Sequence, residues 1–391
     1  MKSHPIFTAT LLAVCIGFCT PAAAGDSQGT GDGLGYRAEL SAGSGLDQWQ
    51  VTGCEAELTD GLLVLQSGDG LVRTNERHGD FVLELDWRPR RKEQYDSGIY
   101  IRAELPDEGR PWPRRYQVNL QQGREGNIAG LNGAESSGLI KPGDWNHFRL
   151  TVIGATAELE INGQPAWKAS GIENPDGYVA LQSEVDGGGQ FEFRNVVLTD
   201  LDYRPLFNGR DLTGWTGDTT GYRVEDGSIV SPSEGGGQLF TADQYADFSY
   251  RFDFKLTPGG NNGIGIRAPL DGHTAYDGIE IQVLDTPDER YRDIKPWQAH
   301  GSVYGIVPAK RGFLKPVGEW NHEEIIADGR RIQVILNGTT IVDADLDEAT
   351  KSGTIDGQDH PGQKRTAGHI GFLGHGARIE FRNMRIKELN K

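Results

Sequence analysis

Two short stretches decide the fold of this chain: NGIGIR at Asn262–Arg267 and GIEIQVLD at Gly278–Asp285. Apolar residues alternate with small or polar ones in both, and successive side chains of a β-strand point to opposite faces of the sheet. One face of each predicted strand is therefore apolar and buried. The other face presents Arg267, Glu280 and Gln282 on what we expect to be an open surface.

Aromatic and imidazole side chains lie in the segments that flank these strands, namely Tyr276, Tyr291, Trp297, His300 and Tyr304. Charged and amide groups beside aromatic rings are typical of a site for a polar, ring-shaped ligand such as a sugar. The alternative interpretation is a solvated outer face that carries one Arg–Glu pair.

The same pattern occurs twice in the chain, which indicates an internal repeat. SGIYIRA at Ser97–Ala103 matches NGIGIRA at Asn262–Ala268, and GDWNH at Gly143–His147 matches GEWNH at Gly318–His322. FEFRNVVL and IEFRNMRI match near the end of each copy. We place the boundary between the copies near Asp202.

Both copies are predicted to be all-β, because period-two alternation is frequent, helical periodicity is scarce and turn residues recur between the apolar runs. The Asn-Gly pairs at 162–163 and 337–338 predict type I′ hairpins. About a dozen short strands per copy fit a two-sheet sandwich. The predicted architecture is two tandem jelly-roll β-sandwich domains.

The sequence predicts four segments. Residues 1–24 read as a cleaved signal peptide, with Lys2 before an apolar run and small residues at Ala22–Ala24. Residues 25–35 read as a flexible leader, residues 36–202 as the first domain and residues 203–391 as the second. Loss of the signal peptide would leave Cys54 as the one cysteine, without an internal disulfide. We expect an exported protein, periplasmic or extracellular.

The formal net charge of −17 argues against nucleic acid or an anionic membrane as a partner. No stretch after the signal peptide is apolar enough to span a membrane. The histidines of the second copy fit no zinc signature, so we predict no metal or cofactor. Calcium is the alternative, because Asp271, Asp277 and Asp285 lie near glycines and could supply oxygen ligands. The sequence specifies no oligomeric state.

Differences between the copies indicate where chemistry occurs. Gln117 of the first copy aligns with Glu280 of the second, and Asn119 aligns with Gln282. An amide cannot accept a proton at neutral pH, whereas a carboxylate can. LQSE in the first copy stands opposite FLGH, so His375 has no counterpart, and none is evident for His300. The second copy is therefore the predicted active domain, and the first is predicted to be a binding or scaffold domain.

Residues kept in both copies are predicted to serve the fold. Trp320, Asn321 and His322 have identical counterparts in the first copy, and so do Arg382 and Asn383. We expect the tryptophans to pack in the core and the Arg and Asn side chains to bind neighbouring backbone. Among the carboxylates that differ, Glu280 could flank a sugar together with Asp285, as in glycosidases. Asp285 could instead cap the turn that follows it.

Several motifs of the second copy resemble the 3-keto-disaccharide hydrolase domain family, formerly a domain of unknown function with a concanavalin/laminin-G-like jelly roll. They are PLFNGRDLTGW at Pro205–Trp215, NGIGIR, GIEIQVLD, GSVYG, KPVGEWNH, LNG and GHIGFLGHGARIEFRNMRIKEL. The resemblance runs through the second copy, and the first copy looks like a diverged repeat.

This resemblance implies an exported enzyme that cleaves sugars already oxidised to a ketone at carbon 3. A base would remove the proton at carbon 2, the group at carbon 1 would leave by elimination, and water would add back. On this hypothesis Glu280 is the base and His300 or His375 is the acid. The predicted substrate-binding residues are Arg267, Gln282, Asp285, Tyr276, Trp297 and Tyr304. The alternative is a non-catalytic carbohydrate-binding protein built of two lectin-like sandwiches.

Overall fold

The computed structural model describes residues 35–184 and 190–389. The predicted signal peptide, and all of the predicted leader except Gly35, lie outside these residues. Within them the first copy forms eleven strands, all paired in antiparallel fashion. They are β1 Tyr36–Glu39, β2 Trp49–Thr59, β3 Leu62–Thr74, β4 Phe81–Pro89, β5 Gly98–Ala103, β6 Gln117–Asn119, β7 Asn146–Ile153, β8 Thr156–Ile161, β9 Gln164–Ser170, β10 Tyr178–Glu184 and β11 Phe191–Asp200.

The second copy forms thirteen strands and two short α-helices among the described residues. The strands are β12 Arg204–Pro205, β13 Trp215–Gly217, β14 Arg223–Glu225, β15 Ser228–Ser231, β16 Gly236–Thr241, β17 Phe248–Leu256, β18 Asn261–Ala268, β19 Ile279–Leu284, β20 Trp320–Asp328, β21 Arg331–Leu336, β22 Thr339–Asp345, β23 His369–His375 and β24 Ile379–Glu388. The helices are α1 Thr274–Asp277 and α2 Leu346–Ala349, and single 3-10 turns lie at Thr219–Gly221, Glu289–Tyr291, Pro296–Gln298 and Pro361–Lys364.

The two copies share one topology, with a difference in how the sheets connect. In the second copy a sheet of order β14-β15-β24-β17-β20-β21-β22 faces a smaller sheet of order β13-β16-β23-β18-β19. In the first copy β3 is continuous and pairs with β11 at its start and β10 at its end, so the strands form one curled sheet. The matching strand of the second copy is broken after Ser231, where Pro232 has no N–H to donate. The prediction of two tandem all-β jelly-roll sandwiches is confirmed.

Alternating side chains build each core, as the period-two pattern predicts. Along β4 every second residue is buried, and Trp87 packs edge-on against Phe148 with ring centroids 5.4 Å apart. In the second copy Phe372 stacks on Phe381 at 4.1 Å. The Asn-Gly hairpins also form: Asn162 and Asn337 both adopt positive φ, of 52° and 49°, which confirms the prediction of type I′ turns at β8–β9 and β21–β22.

One prediction about the kept residues was wrong. Trp145 and Trp320 are only half-buried and lie on the outer face, where Arg194 and Arg382 stack on them at 4.0 Å and 3.9 Å. These tryptophans are amphipathic covers for the arginines rather than core residues. The accompanying histidines support the sheet as expected, since His322 Nδ1 lies 2.9 Å from Asp253.

The copies pack against each other through a buried ionic cluster. Glu76 of the first copy contacts Arg385, Arg251 and His322 of the second, with the Arg251 and His322 nitrogens at 3.1 and 3.3 Å. Arg251 and Arg385 are each only 5% exposed. Among the described residues, no helix has the length and apolar character needed to cross a membrane.

Candidate functional site

Two glycines of β18, Gly263 and Gly265, lie beneath the polar side chains on the outer face of β18 and β19. We call these two residues the glycine floor. Gly263 is paired with Gln282, and Gly265 is paired with Glu280, so the two polar side chains extend across backbone that carries none. A Cβ built on Gly263 would overlap the Glu280 carboxylate, and one on Gly265 would lie 2.8 Å from Thr274. Because any larger residue would displace these side chains, the glycines are needed to open this face.

Glu280 is the central ionisable group of this face. It is 5% exposed, and no described residue donates a hydrogen bond to its carboxylate. Burial alone raises its pKa to about 8, since a carboxylate without partners is disfavoured in a low-dielectric setting. A carboxylate of raised pKa is a stronger base once it is ionised, and such groups concentrate at functional sites.

Backbone hydrogen bonding places the aromatic residue Tyr304 directly beside Glu280. Its N–H donates to the Glu280 carbonyl at 2.9 Å, and the adjacent residues Ile281 and Val303 form an antiparallel bridge. Paired residues on such a bridge project to the same side. Burial is the main cause that raises the pKa of Tyr304, and the charge of Glu280 raises it further. Trp297 packs edge-on against Tyr304, with ring centroids 5.0 Å apart.

Tyr276 lies on α1, immediately before β19, between two imidazole rings. Its ring centroid is 5.0 Å from that of His273 and 4.8 Å from that of His360. Tyr276 is half-buried and His273 is exposed, so the histidine lies toward solvent. Tyr276 and Glu280 both lie close enough to Tyr304 to influence its pKa, and Trp297 packs on the same ring. These aromatic groups therefore gather around Tyr304 near the buried carboxylate, in a composition typical of small-molecule sites.

Gln282 and His375 complete the polar groups of this face. Gln282 donates to Asn261 at 3.1 Å from the same side of β19 as Glu280. His375 is exposed at the end of β23, across from Gly236. Burial of its ring atoms and the charge of nearby His273 lower the pKa of His375, so a neutral imidazole is favoured there.

Arg267 does not lie on the open face, and this prediction was wrong. A bulge between Gly265 and Ala268 shifts the register against β23, and Arg267 adopts a φ of 47°. Its guanidinium is 1% exposed and donates to the carbonyls of Ala246 and Gly329 and to Asp247. The strict alternation that assigned Arg267 to the open face fails at a bulge.

The matching arginine of the first copy has the same role. Arg102 has a φ of 43° and donates to the Gly79 and Asn174 carbonyls and to Asp80. Its conservation in both copies is therefore explained by the fold.

His300 faces the interior between the sheets rather than the Glu280 face. It accepts the N–H of Leu284 at Nδ1, and its Nε2 lies 2.9 Å from Glu323 of β20. The ring also packs on Phe254 at 5.0 Å and lines a separate cavity of about 270 Å³. The predicted role of His300 as the acid beside Glu280 is contradicted by this direction. The sequence pattern could not reveal it, because His300 follows a 3-10 turn rather than a regular strand.

Asp285 supports the end of β19. Its carboxylate accepts the N–H of Gly259 at 2.8 Å, and it is 6% exposed. It thus caps the turn before β18, whereas we expected it either to bind substrate or to cap the turn that follows it. Asp277 likewise accepts the N–H of His273. No group of three or more potential metal ligands is found within residues 35–184 and 190–389.

The first copy closes the corresponding face. Tyr100 is paired with Gln117, which places it at the position of Gly265. Gln117 donates to the side chain of Gln182, and Tyr100 packs in an apolar cluster with Leu71. The aligned carboxylate is replaced by an amide, and the glycine floor is replaced by a phenol ring. Among the described residues, the buried carboxylate over glycines therefore occurs in the second copy.

Sequence reasoning gave His360 no role at the site and overlooked Asp356. Both lie in the segment between β22 and β23, residues 346–368, which is much longer than its counterpart at residues 171–177. His360 is 2% exposed and hydrogen-bonds Asp356 at 2.9 Å. The extra length in one copy was the signal that could have identified them.

Comparison with known proteins agrees with the repeat. The sequence profile of the 3-keto-alpha-glucoside-1,2-lyase-like domain matches residues 38–199 and again residues 202–387. A protein of Bacteroides thetaiotaomicron named 3-keto-disaccharide hydrolase is 27% identical over 229 residues, which cover 48% of this chain and 79% of that protein.

Two crystal structures from Parabacteroides distasonis, each titled a “putative glycosyl hydrolase”, are also similar. One is 30% identical over 48% of this chain and 99% of its own, with a TM-score of 0.44. The other is 28% identical over 48% of this chain and 94% of its own, with a TM-score of 0.43. Because the family profile matches most of the sequence in two consecutive segments, this chain belongs to the 3-keto-alpha-glucoside-1,2-lyase-like domain family and carries two copies of that domain.

Proposed function

We propose that this protein is an exported glycoside-processing enzyme that cleaves 3-keto-glycosides in its second copy. The observation that carries the proposal is the Glu280 carboxylate, buried on a glycine floor without a hydrogen-bond donor and with a pKa raised to about 8. A group in this state is matched to removing a proton near neutral pH. Family membership supports the substrate class, and residues 1–24 support export.

The proposed reaction begins at carbon 2 of the sugar. Ionised Glu280 accepts the C2 proton, and the electron pair of the C–H bond forms an enolate with the negative charge on the carbon-3 oxygen. When the ketone reforms, a double bond forms between carbons 1 and 2, and the bond from carbon 1 to the leaving oxygen breaks. That oxygen takes up a proton. Water then adds across the double bond, with hydroxyl at carbon 1 and hydrogen at carbon 2.

The enolate oxygen needs a hydrogen-bond donor. Arg267 cannot supply it, because its guanidinium already donates to the carbonyls of Ala246 and Gly329 and to Asp247. Tyr304 and Tyr276 are the alternative hydrogen-bond donors. Tyr304 lies after β19 and pairs with Glu280 through the backbone, and Tyr276 lies on α1 just before β19. Phenols that stay protonated can donate a hydrogen bond to a developing oxyanion. The raised pKa of Tyr304 keeps its proton in place.

The remaining residues have supporting roles in this proposal. Gln282 binds sugar hydroxyls, and Trp297 covers one side of the ring. His375 is exposed at the rim and has a lowered pKa, so it is suited to accept a proton from water during hydration. Its suitability as an acid for the leaving group is correspondingly reduced.

The test compares the mature protein with its Glu280→Gln variant on a 3-keto-glucoside. We expect the wild-type protein to cleave it and to leave the unoxidised glucoside intact. Loss of a general base typically lowers the rate by about 10²–10⁴-fold, and we expect a loss of that size in the variant. Glu184→Gln in the first copy is the matched control, because Glu184 aligns with His375 on the closed face. Absence of cleavage with retained sugar binding would instead support a lectin.

A further inference from the structure

The long segment of the second copy, residues 346–368, reaches back to the candidate site. Gly362 lies so close to the backbone of Asp277 and Gly278 that a Cβ there would overlap it. The 3-10 turn Pro361–Lys364 thereby packs on α1, which carries Tyr276. The first copy has no segment of this length at the same place.

His360 joins the two chain segments that carry the tyrosines. Its Nδ1 lies 3.0 Å from the Ala275 carbonyl on α1, and its ring packs against Tyr276 at a tilt of 48°, with ring centroids 4.8 Å apart. On the other side, a Cβ on Gly305 would lie 2.6 Å from the His360 ring. Gly305 follows Tyr304 directly and has a φ of 70°, so this close approach needs glycine. His360 therefore lies between α1 and the Tyr304 backbone.

Both nitrogens of His360 face acceptors. The Ala275 carbonyl can only accept, and Asp356 Oδ2 lies 2.9 Å from Nε2. Although burial raises the pKa of Asp356, hydrogen bonds from the Gln358 N–H and from His360 outweigh it and hold the pKa below its usual value. The other oxygen of this carboxylate, Oδ1, accepts the Gln358 N–H at 2.9 Å, so Asp356 acts as an acceptor on both sides. Two acceptors require two donors, and a histidine supplies two only as the imidazolium cation.

We propose that Asp356 and His360 form a charged brace that positions Tyr276 and Tyr304 and places a fixed positive charge behind Tyr276. The inference rests on the proposed function, because the brace takes the electrostatic role that Arg267 cannot have. A positive charge held close to a phenol polarises its O–H and favours donation to an oxyanion. His360 acts through Tyr276 and is a positioning residue.

The first experiment uses nuclear magnetic resonance and needs no turnover. In the full-length protein labelled with ¹⁵N-histidine, we expect His360 to show protons on both ring nitrogens at pH 7, with the signal assigned by its absence in His360→Ala. The same signal should change to a singly protonated ring in Asp356→Asn. A His360 ring that carries one proton at pH 7 in the wild-type protein would overturn the proposal.

The second experiment measures kcat and KM on the 3-keto-glucoside. Loss of one oxyanion donor costs about 10²–10³-fold, and for His360→Ala, which acts through such a donor, we expect kcat to fall about 10–100-fold with KM within about threefold. Added imidazole should restore part of kcat, whereas pyrazole, a ring of the same shape that stays neutral, should not. Equal rescue by both rings would show that shape alone matters and would contradict the brace.

His369→Gln is the matched control. His369 is also buried, at 5% exposed, and its ring nitrogens lie near the Thr241 carbonyl and the Gln244 amide. We expect it to retain kcat within about threefold. If the wild-type protein cleaves no keto-glycoside, the proposed function fails, while the resonance experiment still decides whether the charged brace exists.

Discussion

The two copies share one topology and differ in their outer faces. In the first copy Tyr100, Gln117 and Gln182 fill the corresponding face of the curled sheet with an apolar ring and a pair of amides. In the second copy glycines occupy the floor, and Glu280 is buried without a donor. The first domain satisfies the polar groups of this face internally, and the second leaves the Glu280 carboxylate without a hydrogen bond from a described residue. The difference teaches that an open face in this sandwich depends on small residues in the sheet as much as on the polar side chains beside them.

The copies also differ where they meet. Arg251 of the second copy pairs with Glu324 at 3.1 Å, whereas the aligned pair of the first copy, Glu84 and Arg149, has the charges exchanged and is half-exposed. In the second copy this surface is buried, because Glu76 of the first copy contacts Arg251 there. The face that carries Glu280 and the face that contacts the first copy thus lie on different parts of the second domain.

Replacing Gly265 of the second copy by tyrosine, the residue at the matching position of the first copy, should abolish the proposed site. In Gly265→Tyr the ring would occupy the space beside Thr274 and above Glu280, so we expect kcat/KM on the 3-keto-glucoside to fall at least about 100-fold, in line with misplacement of reacting groups. Overpacking costs about 1–3 kcal/mol, which thermal unfolding would detect as a modest loss. Retained activity in a folded variant would mean that substrate binds elsewhere.

The pH dependence tests the ionisation of Glu280. Because its pKa is raised to about 8, kcat/KM should rise about tenfold per pH unit from pH 6 and level off above pH 8. Glu184→Gln in the closed copy should leave this profile unchanged. A plateau that begins near pH 5 would exclude Glu280 as the base in this state.

The same shift has a consequence for stability. The folded-state pKa lies above the unfolded value of 4.5, so the folded protein binds the proton more tightly between these values. The stability contribution of Glu280 therefore falls as pH rises from about 4.5 to 8. Glu280→Gln should be more stable than the wild-type protein at pH 8, by on the order of 1–5 kcal/mol, although it is inactive. Denaturant unfolding at pH 5 and pH 8 measures the difference.

The smallest expected effect on turnover comes from the interface. Glu76→Gln removes the charge that faces Arg251, Arg385 and His322, and breaking a buried ion pair typically costs about 3–5 kcal/mol. We expect a lower unfolding temperature or two separate transitions in calorimetry, with kcat within about twofold. A large loss of kcat would show that the first copy supports the active face directly.

Much of this organisation was predictable because it depends on local rules. Alternation identified the strands and put Glu280 and Gln282 on one face, and Asn-Gly pairs identified two hairpins. The internal repeat allowed Gln117 to be matched with Glu280 without any other sequence. The loss of a carboxylate in one copy then pointed to the other copy as the site.

Three predictions about side chains of the site failed for physical reasons that are not local. Arg267 turns inward because a bulge breaks the alternation, and its donors are satisfied by distant carbonyls at Ala246 and Gly329. His300 is drawn inward by Glu323 of the opposite sheet. Asp285 is held by a turn that precedes β18. In each case the partner is remote in sequence.

The sequence by itself determined the two all-β copies, the turn positions and the strand that carries Glu280, because hydrophobic period and turn chemistry act between near neighbours. Only the tertiary structure decided which polar groups share the site. His360 reaches Tyr276 across 84 residues of chain, and its partners Asp356 and Ala275 come from different segments. Burial without a donor, which raises the pKa of Glu280, is likewise a property of the packed sheets, since it depends on what every surrounding element leaves unoccupied.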